Sequence, residues 1–359
     1  MIDPRLHTSF CELVGVEAPI VQTGMGWVAG PSLVSASAEA GALGILASAT
    51  MDFDQLKDAI AKVKARTTKP FGVNLRADSA DAAQRAELLI TEGVRVASFA
   101  QAPKRHLIDM LQSAGVAVIP SIGAKRHAEK VMEWGVDAIL VQGGEGGGHT
   151  GSVPTTIVLP QVLDVVDGAV PVIAAGGFHD GRGLAAALAY GADAVAMGTR
   201  FLLTVDSSVP DEVKKFYLGY GVADTVVTTQ VDGVPHRVLR TPMVAKLESA
   251  AGKAMSIPRS IANARRFSAM TGLGYSEMLR EGWAMKASMG LSWGQTVMAA
   301  NTPMLLKAGL VDGRTEAGVL ASGQVVGVID DLPTCAELID RITTGAVSAL
   351  DRVQSRSET

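Results

Sequence analysis

Cysteine is almost missing from this sequence. Only Cys11 and Cys335 occur among the 359 residues, and neither belongs to a pair with the spacing of metal ligands. A disulfide framework and a zinc site are therefore both unsupported, and we expect no metal. The low cysteine content also fits a reducing compartment, so we expect a cytoplasmic protein.

Long apolar runs, a strong net charge and aromatic residues are also absent or scarce. No apolar run reaches the roughly 18 residues that a transmembrane helix needs, so we expect no membrane association. The net charge of −4 gives no electrostatic reason to expect nucleic-acid binding. Aromatic residues make up 4% of the chain, whereas hydrophobic residues as a whole make up 48%, alongside 39 glycines. This composition is typical of a large α/β core built from small aliphatic side chains.

Short apolar runs alternate with amphipathic stretches from Pro19 onward, as in repeated strand–helix units of a parallel sheet. Several helical stretches end in glycine just before the next run, where helices commonly terminate: Gly41, Gly93, Gly115, Gly135 and Gly191. The runs predict strands at 19–23, 43–47, 71–75, 94–99, 117–121, 138–142, 170–175 and 194–198. Eight successive units favour an α/β fold of the (β/α)8 TIM-barrel type over a doubly wound sheet, which normally has fewer strands.

The regular alternation stops after Leu203. Residues 206–304 contain most of the Tyr and Trp residues, including Tyr275, Trp283 and Trp293, and we predict a mainly helical cap there. The barrel would then comprise 1–205 and 305–359. Between Arg237 and Lys286, nine Lys or Arg, Arg280 among them, stand against three Glu, which leaves a net charge of +6. This excess indicates either solvated helix faces or a site for an anionic tail such as that of coenzyme A, with these candidates: Arg240, Arg259, Arg265 and Arg266.

Polar and glycine residues follow the predicted strands, where TIM barrels carry their chemistry. The pairs Gly176-Gly177 and Gly198-Thr199, after the last two strands, predict a backbone cradle for phosphate, although such glycines can also simply tighten turns. Gly24-Met25-Gly26 offers a floor for a flat ring. Three further strand-end side chains could contact a ring system, although Asn74 could equally cap a turn: Asn74, Ser121 and Gln142.

The stretch 137–150, DAILVQGGEGGGHT, follows the sixth strand and surrounds His149 with glycines. It lacks the Lys of a phosphate-binding P-loop, and its match to G-x-G-x-x-G is weak because no helix opens at once. His149 is the best candidate for a general acid or base, although it could instead orient the loop. His179 and His236 are also placed where they could approach a ligand.

At this point the successive motifs resemble a known family. PIVQTGMG, AGALGILAS, KPFGVNL, VQGGEGGGHTG, VPVIAAGGFHDGRGLAAAL and AVAMGTRFLLT are similar to those of the 2-nitropropane dioxygenase/nitronate monooxygenase superfamily of FMN barrels. The resemblance implies that FMN is the cofactor and that His149 is catalytic. It implies that the flavin is held by Gly24, Met25, Gly26, Asn74, Ser121, Gln142, Gly147, Gly148, Gly176, Gly177, Gly198 and Thr199.

The second half of the chain resembles one actinobacterial branch of that superfamily. Stretches such as VVTTQVDGVPHRVLRT and GVLASGQVVGVIDDLP are similar to flavin-dependent reductases of steroid C/D-ring catabolism, which act on a hydroxylated indene-carboxyl-CoA. This implies a bulky CoA thioester as substrate and NADH or NADPH as co-substrate. The alternatives are a nitronate monooxygenase, a flavin-type enoyl-thioester reductase, or a flavin-binding module without turnover. A homodimer is possible.

Overall fold

The computed structural model describes residues 2–100, 103–271 and 301–357, together with the single residues 286, 296 and 298. Four residues of the predicted cap lie outside this range: Tyr275, Trp283, Trp293 and Arg280. Among the described helices, none combines the length and the apolar composition that crossing a bilayer requires.

Eight parallel strands close into a barrel in the order β1-β2-β3-β4-β5-β6-β8-β9, with β9 pairing back onto β1. The predicted TIM barrel is confirmed, and all of the predicted strands are present with ends shifted by at most two residues. The strands are β1 (Ile20–Gln22), β2 (Leu43–Ala47), β3 (Phe71–Leu75), β4 (Val96–Phe99), β5 (Ala117–Ile122), β6 (Ile139–Gln142), β7 (Gly148–His149), β8 (Val172–Ala175), β9 (Ala194–Met197), β10 (Thr225–Thr228) and β11 (His236–Leu239).

Helices separate the barrel strands and form most of the rest of the chain. They are α1 (Ser9–Val14), α2 (Pro31–Glu39), α3 (Phe53–Lys64), α4 (Ala82–Thr91), α5 (Arg105–Ser113), α6 (Lys125–Glu133), α7 (Thr155–Val166), α8 (Gly181–Tyr190), α9 (Thr199–Leu202), α10 (Asp211–Leu218), α11 (Pro242–Glu248), α12 (Ala250–Ala254), α13 (Ser256–Thr271), α14 (Asn301–Leu310) and α15 (Cys335–Ser357). Short 3-10 helices occupy Pro4–Leu6, Val222–Asp224 and Gln324–Val328.

Local sequence accounts for the regularity of these units. In α3, Asp52 caps the first turn through the backbone N–H of Gln55, while Leu56, Ile60 and Val63 fall on one face and are buried. The glycines predicted to end helices all have left-handed backbone conformations, which only glycine adopts without strain: Gly41, Gly93, Gly115, Gly135 and Gly191. The chain therefore turns sharply from each of these helices into the next strand.

Helix α1 closes the end of the barrel at which the strands begin. Helix α1 inserts Phe10, Cys11 and Val14 into the cluster of inward-facing strand residues that includes Leu43 and Ile173. A larger cluster fills the layer between the outer helices and the strands. Because α1 fills the end at which the strands begin, the carboxyl ends of the strands are left for a binding site.

A second, three-stranded sheet lies beyond the barrel, in the antiparallel order β10-β11-β7. Strands β10 and β11 fall within the segment expected to be mainly helical, which also holds α10 to α13. The two strands, TVVT and HRVL, pair with each other as a hairpin, and β11 also pairs with the distant residues of β7. At four residues each they are too short to show a clear alternation of apolar and polar residues in the sequence. The division into barrel and cap stays a prediction.

The last helix returns to the barrel and packs against α8. The first residue of α8, Gly181, lies so close to α15 that an added Cβ would be 2.3 Å from Ala346 N and 2.4 Å from Ile342 O. Backbone atoms cannot move aside as a flexible side chain can. This contact therefore requires glycine at position 181.

We predict that Gly181→Ala lowers the free energy of unfolding by about 1–3 kcal/mol, because the new methyl group overpacks the contact between the two helices. Gly345→Ala on the facing helix is the matched control, since its Cβ would lie an ordinary 3.4 Å from Gly181 Cα. Alanine also gains about 1 kcal/mol over glycine inside a helix. Denaturant midpoints followed by circular dichroism would measure both, and equal losses for the two variants would contradict the prediction.

Candidate active site

A cavity of about 580 Å³ opens at the carboxyl ends of the barrel strands. Its lining includes every residue that the sequence assigned to the flavin and also His149. The assigned residues come from the ends of β1, β3, β5, β6, β8 and β9 and from the glycine loop before β7. The structure thus brings these side chains and glycines to one site, although their individual roles stay predictions.

The loop after β1 lies directly against β3. An added Cβ on Gly24 would be 2.6 Å from Asn74 Cβ, so this part of the floor is formed by bare backbone. The Asn74 amide points toward β4, with Nδ2 3.3 Å from Ser98 Oγ. It therefore contacts the neighbouring strand at the cavity edge and does not cap a turn, which was the alternative reading of this residue.

The predicted phosphate cradle lies where β8 and β9 pair. Gly176 and Gly177 have φ of 94° and 87°, a left-handed conformation that turns their backbone sharply at the strand end. Next to them, Thr199 begins the short helix α9, and its Oγ1 accepts a hydrogen bond from Gly323 N at 2.9 Å. His179 follows the same loop but lies outside the cavity lining that the described residues form.

The glycine loop before β7 is held by close backbone packing. An added Cβ on Gly147 would lie 2.5 Å from Gly323 N, and Arg237 donates two hydrogen bonds to Gly144 O, at 2.8 and 3.1 Å. The amide of Gln142 donates to the backbone carbonyl of His149 at 3.0 Å. These contacts fix the backbone that carries His149.

His149 is the exposed member of a cluster of polar side chains. Its Nε2 lies 2.6 Å from Oδ2 of Asp232, and the same oxygen accepts a hydrogen bond from Thr302 Oγ1 at 2.6 Å. His236 Nδ1 is 3.6 Å from that oxygen, which is too long for a hydrogen bond. The two imidazole ring centroids are 4.6 Å apart. The side chains of Asp232 and His236 are 3% and 2% exposed, whereas that of His149 is 57% exposed.

Two members of this cluster, Asp232 and Thr302, were missed from the sequence. Asp232 lies in the turn between β10 and β11, where VDGVP reads as an ordinary turn signal, and Thr302 lies at the start of α14. Only the register of the second sheet, which places His236 directly opposite His149, brings Asp232 to the site. One signal in the sequence pointed to this region: His236, which lies four residues after Asp232 and was predicted to be able to approach a ligand.

Burial sets the charge states in this cluster. Burial raises the pKa of the Asp232 carboxyl, but the hydrogen bond from His149 and the nearby His236 imidazole outweigh it, so the pKa lies well below its usual range. Burial lowers the pKa of His236, although Asp232 opposes this effect. At neutral pH the cluster therefore holds an ionised carboxylate beside a neutral, buried imidazole.

The same three residues offer ligand atoms that a metal ion could use. One atom each from His149, Asp232 and His236 lies within 4.8 Å of the others. However, ligands bound to zinc at about 2.0–2.1 Å in a tetrahedral site lie more than about 3 Å apart. The 2.6 Å between His149 Nε2 and Asp232 Oδ2 is instead a hydrogen-bond distance. The arrangement is that of a hydrogen-bonded pair.

The arginines proposed for an anionic tail lie away from the cavity lining formed by the described residues. Arg240, Arg265 and Arg266 are exposed, the last two on α13. Arg259 is partly buried, and its Nε and Nη2 have no hydrogen-bond partner among the described residues. A role for these four side chains in substrate binding stays a prediction.

Comparison with known proteins identifies relatives that match nearly the whole chain. The nitronate monooxygenase family model matches residues 7–345. The (3aS,4S,5R,7aS)-5-hydroxy-7a-methyl-1-oxo-octahydro-1H-indene-4-carboxyl-CoA dehydrogenase of Mycobacterium tuberculosis is 63% identical over 99% of this chain and 100% of its own length. The protein of the same name from Rhodococcus jostii is 62% identical over 96% of this chain and 97% of its own length. The structure of FabK from Thermotoga maritima superposes with a TM-score of 0.79 at 33% identity, covering 98% of this chain and 99% of that one.

The chain belongs to the nitronate monooxygenase family. The family resemblance drawn from the motifs is therefore confirmed, and so is the expectation of an oxidoreductase. The match extends through both the barrel and the segment that carries Asp232. A cytoplasmic location stays a prediction.

The lowered pKa of His236 predicts how stability depends on pH. Because the folded state favours the neutral imidazole, the unfolded chain binds the proton first as the pH falls. The stabilisation is thus complete above the ordinary imidazole pKa of about 6.5 and is progressively lost below it. The carboxylate of Asp232 acts in a lower window, because its ordinary pKa is about 3.9.

We therefore expect wild-type protein to lose more stability than His236→Gln between about pH 7.5 and about pH 5.5. Denaturant midpoints at several pH values would measure the two slopes. His106→Gln, at an exposed position on α5, controls for the introduced amide and should keep the wild-type slope. Parallel slopes for wild type and His236→Gln would contradict the expectation.

Proposed function

We propose that this protein is an FMN-dependent dehydrogenase of a bulky cyclic CoA thioester, acting on a CH–CH bond of the ring. The observation that carries the proposal is 62–63% identity, over nearly the whole length, to two dehydrogenases named for a hydroxylated oxo-octahydroindene-carboxyl-CoA. The resemblance of the second half of the chain to the branch active in steroid C/D-ring catabolism agrees with that substrate. The cluster at His149 supplies a group suited to the chemistry.

The cavity fits a flavin mononucleotide in size and lining. Its backbone floor at Gly24 suits a flat ring, because a side chain there would collide with Asn74. The left-handed turn at Gly176-Gly177 and the start of α9 at Thr199 present backbone N–H groups suited to a phosphate. Met25, Gly26 and the remaining assigned residues would hold the ring and the ribityl chain between these two ends. A bound flavin would supply the acceptor for a hydride.

The thioester explains why a histidine is needed. The carbonyl of a thioester acidifies the C–H bond of the adjacent ring carbon, and His149 would take that proton as a general base. Loss of this proton and of a hydride from the neighbouring ring carbon leaves a carbon–carbon double bond conjugated with the thioester. The reverse reaction would return the proton from His149, as in an enoyl-thioester reductase.

His236 is a further residue of the cavity lining, but both of its ring nitrogens are buried and have no hydrogen-bond partner among the described residues. Its imidazole therefore contributes packing against the ring of His149, with the ring centroids 4.6 Å apart, and no hydrogen bond to the substrate is assigned to it.

A second redox partner is required, because a dehydrogenase must pass its electrons on. We propose that oxidised NAD+ or NADP+ accepts them and leaves as NADH or NADPH; in the reverse direction the reduced nucleotide is the co-substrate that the resemblance implies. The excess positive charge between Arg237 and Lys286 supports binding of the phosphates of coenzyme A. Arg265 and Arg266, exposed on one helix, are the first candidates.

The central test follows the visible spectrum of purified protein without oxygen. The saturated CoA thioester should bleach the bound flavin, and His149→Gln should slow the bleaching at least about 100-fold while retaining the flavin, because the base is lost. His127→Gln on the outer helix α6 is the control and should react normally. If neither the thioester nor a reduced nicotinamide changes the spectrum, the proposed function is wrong. Unchanged bleaching in His149→Gln would show that His149 is not the base, whereas bound flavin that neither reagent changes would favour a flavin-binding module.

Nitronate monooxygenase is the second candidate, because the family model that matches the chain carries that description. We predict that reversing both charges in Arg265→Glu/Arg266→Glu raises the KM for the CoA thioester roughly two- to thirtyfold, since exposed charge pairs contribute about 0.2–1 kcal/mol each. Lys57→Glu/Lys62→Glu, two exposed positions on α3, is the charge-matched control. Turnover of nitronates without any nicotinamide, with no effect of the double reversal, would favour the monooxygenase.

A further inference from the structure

The exposed imidazole of His149 is attached to a buried carboxylate. Asp232 Oδ2 lies 2.6 Å from His149 Nε2, and this is the one hydrogen bond of the His149 side chain among the described residues. A carboxylate can only accept, so the hydrogen on Nε2 must be the donated one. The contact therefore selects one tautomer of the neutral ring.

We propose that Asp232 is a positioning residue for His149: it binds the Nε2–H group and leaves Nδ1 as the nitrogen that exchanges a proton with the substrate. This inference rests on the proposed function for its catalytic meaning. Its structural content, which is the identity of the protonated nitrogen, can be measured without any substrate.

Asp232 is itself held in place. Its Oδ2 accepts a second hydrogen bond, from Thr302 Oγ1 at 2.6 Å, and its Oδ1 accepts one from the backbone N–H of Val234 at 3.3 Å. With its side chain only 3% exposed, the carboxylate cannot turn away into solvent. A mobile surface histidine would lose rotational freedom on each encounter with substrate, whereas His149 is already oriented.

The fold also fixes the backbone on both sides of the contact. Strand β7 carries His149 and pairs with β11, whose residue His236 lies directly opposite. Asp232 occupies the turn that leads into β11, next to the left-handed Gly233. Because the pair is joined through a sheet, its geometry does not depend on a flexible loop.

The activity test uses the holoenzyme. Asp232→Asn should lower kcat for the CoA thioester roughly 10²- to 10³-fold with KM changed less than about threefold, because the amide can favour the wrong tautomer. Flavin content should be unchanged. Asp224→Asn is the matched control: its carboxylate accepts from Gly221 N at 2.7 Å and lies outside the described cavity lining, so activity should stay normal. Turnover of Asp232→Asn within about threefold of wild type would overturn the inference.

Chemical rescue separates positioning from a general loss of structure. In Asp232→Ala, added formate should restore part of the lost rate, since a small carboxylate can occupy the space next to Nε2. The same addition should not help His149→Gln. If formate restores neither variant while the Asp232→Glu enzyme, which keeps a carboxylate, is as slow as Asp232→Asn, the inference is wrong.

Nitrogen NMR of protein labelled at histidine provides the readout that needs no turnover. The His149 signals, identified by their loss in His149→Gln, should show a protonated Nε2 and a bare Nδ1 in wild type. In Asp232→Asn the two tautomers should mix. A protonated Nδ1 in neutral wild type, or no change in Asp232→Asn, would contradict the proposal even if the CoA thioester proves not to be a substrate.

Elemental analysis tests the alternative that Asp232 is a metal ligand. If elemental analysis of the purified protein finds a stoichiometric transition metal that is lost in Asp232→Asn, then Asp232 is a ligand and the positioning role is overturned. Metal-free protein with the expected tautomer supports the role. Failure of thioester turnover in wild type, by contrast, would reject the proposed function and leave the tautomer result standing.

Discussion

The parallel pairing of the last barrel strand with the first is the constraint on which the rest of this structure depends. Residues Ile20, Val21 and Gln22 of β1 pair with Val195, Ala196 and Met197 of β9. Closure removes every exposed edge and forces all eight carboxyl ends to one rim. Groups separated by more than 100 residues, such as Gly24 and Gly198, line one cavity for this reason.

Barrel closure explains why so much of the predicted flavin site could be read from the sequence. Each strand is a run of small aliphatic residues, and the residues after it must face the common rim whatever the outer helices do. The order of Gly176-Gly177 and Gly198-Thr199 along the chain therefore implied their proximity in space. Their local conformation was equally predictable, because left-handed turns at strand ends favour glycine.

The group that holds His149 was not predictable in this way. Asp232 looks like a turn residue beside Gly233, and its role appears only once β11 pairs with β7 across more than 80 residues. No rule of barrel closure applies to this second sheet, whose register depends on tertiary packing of two short strands. The segment expected to be mainly helical also contains the hairpin of β10 and β11, whose strands of four residues are too short to give a clear pattern in the sequence.

The start of α14 shows how the two regions are joined at the site. Thr302 donates to Asp232, and the next residue, Pro303, accepts a hydrogen bond at 3.0 Å from the indole of Trp27 in the loop after β1. The loop that would face the flavin and the carboxylate that holds His149 are thus fixed by adjacent residues of one helix. The residues assigned to the cofactor come from the barrel, whereas Asp232, His236 and Thr302 come from residues 206–304, and all of them line one cavity. Through Pro303 that segment also supports the loop after β1. The barrel motifs thus contain the predicted cofactor site, whereas the groups that contact His149 lie outside them, and this is why the motifs specify the family more sharply than the substrate.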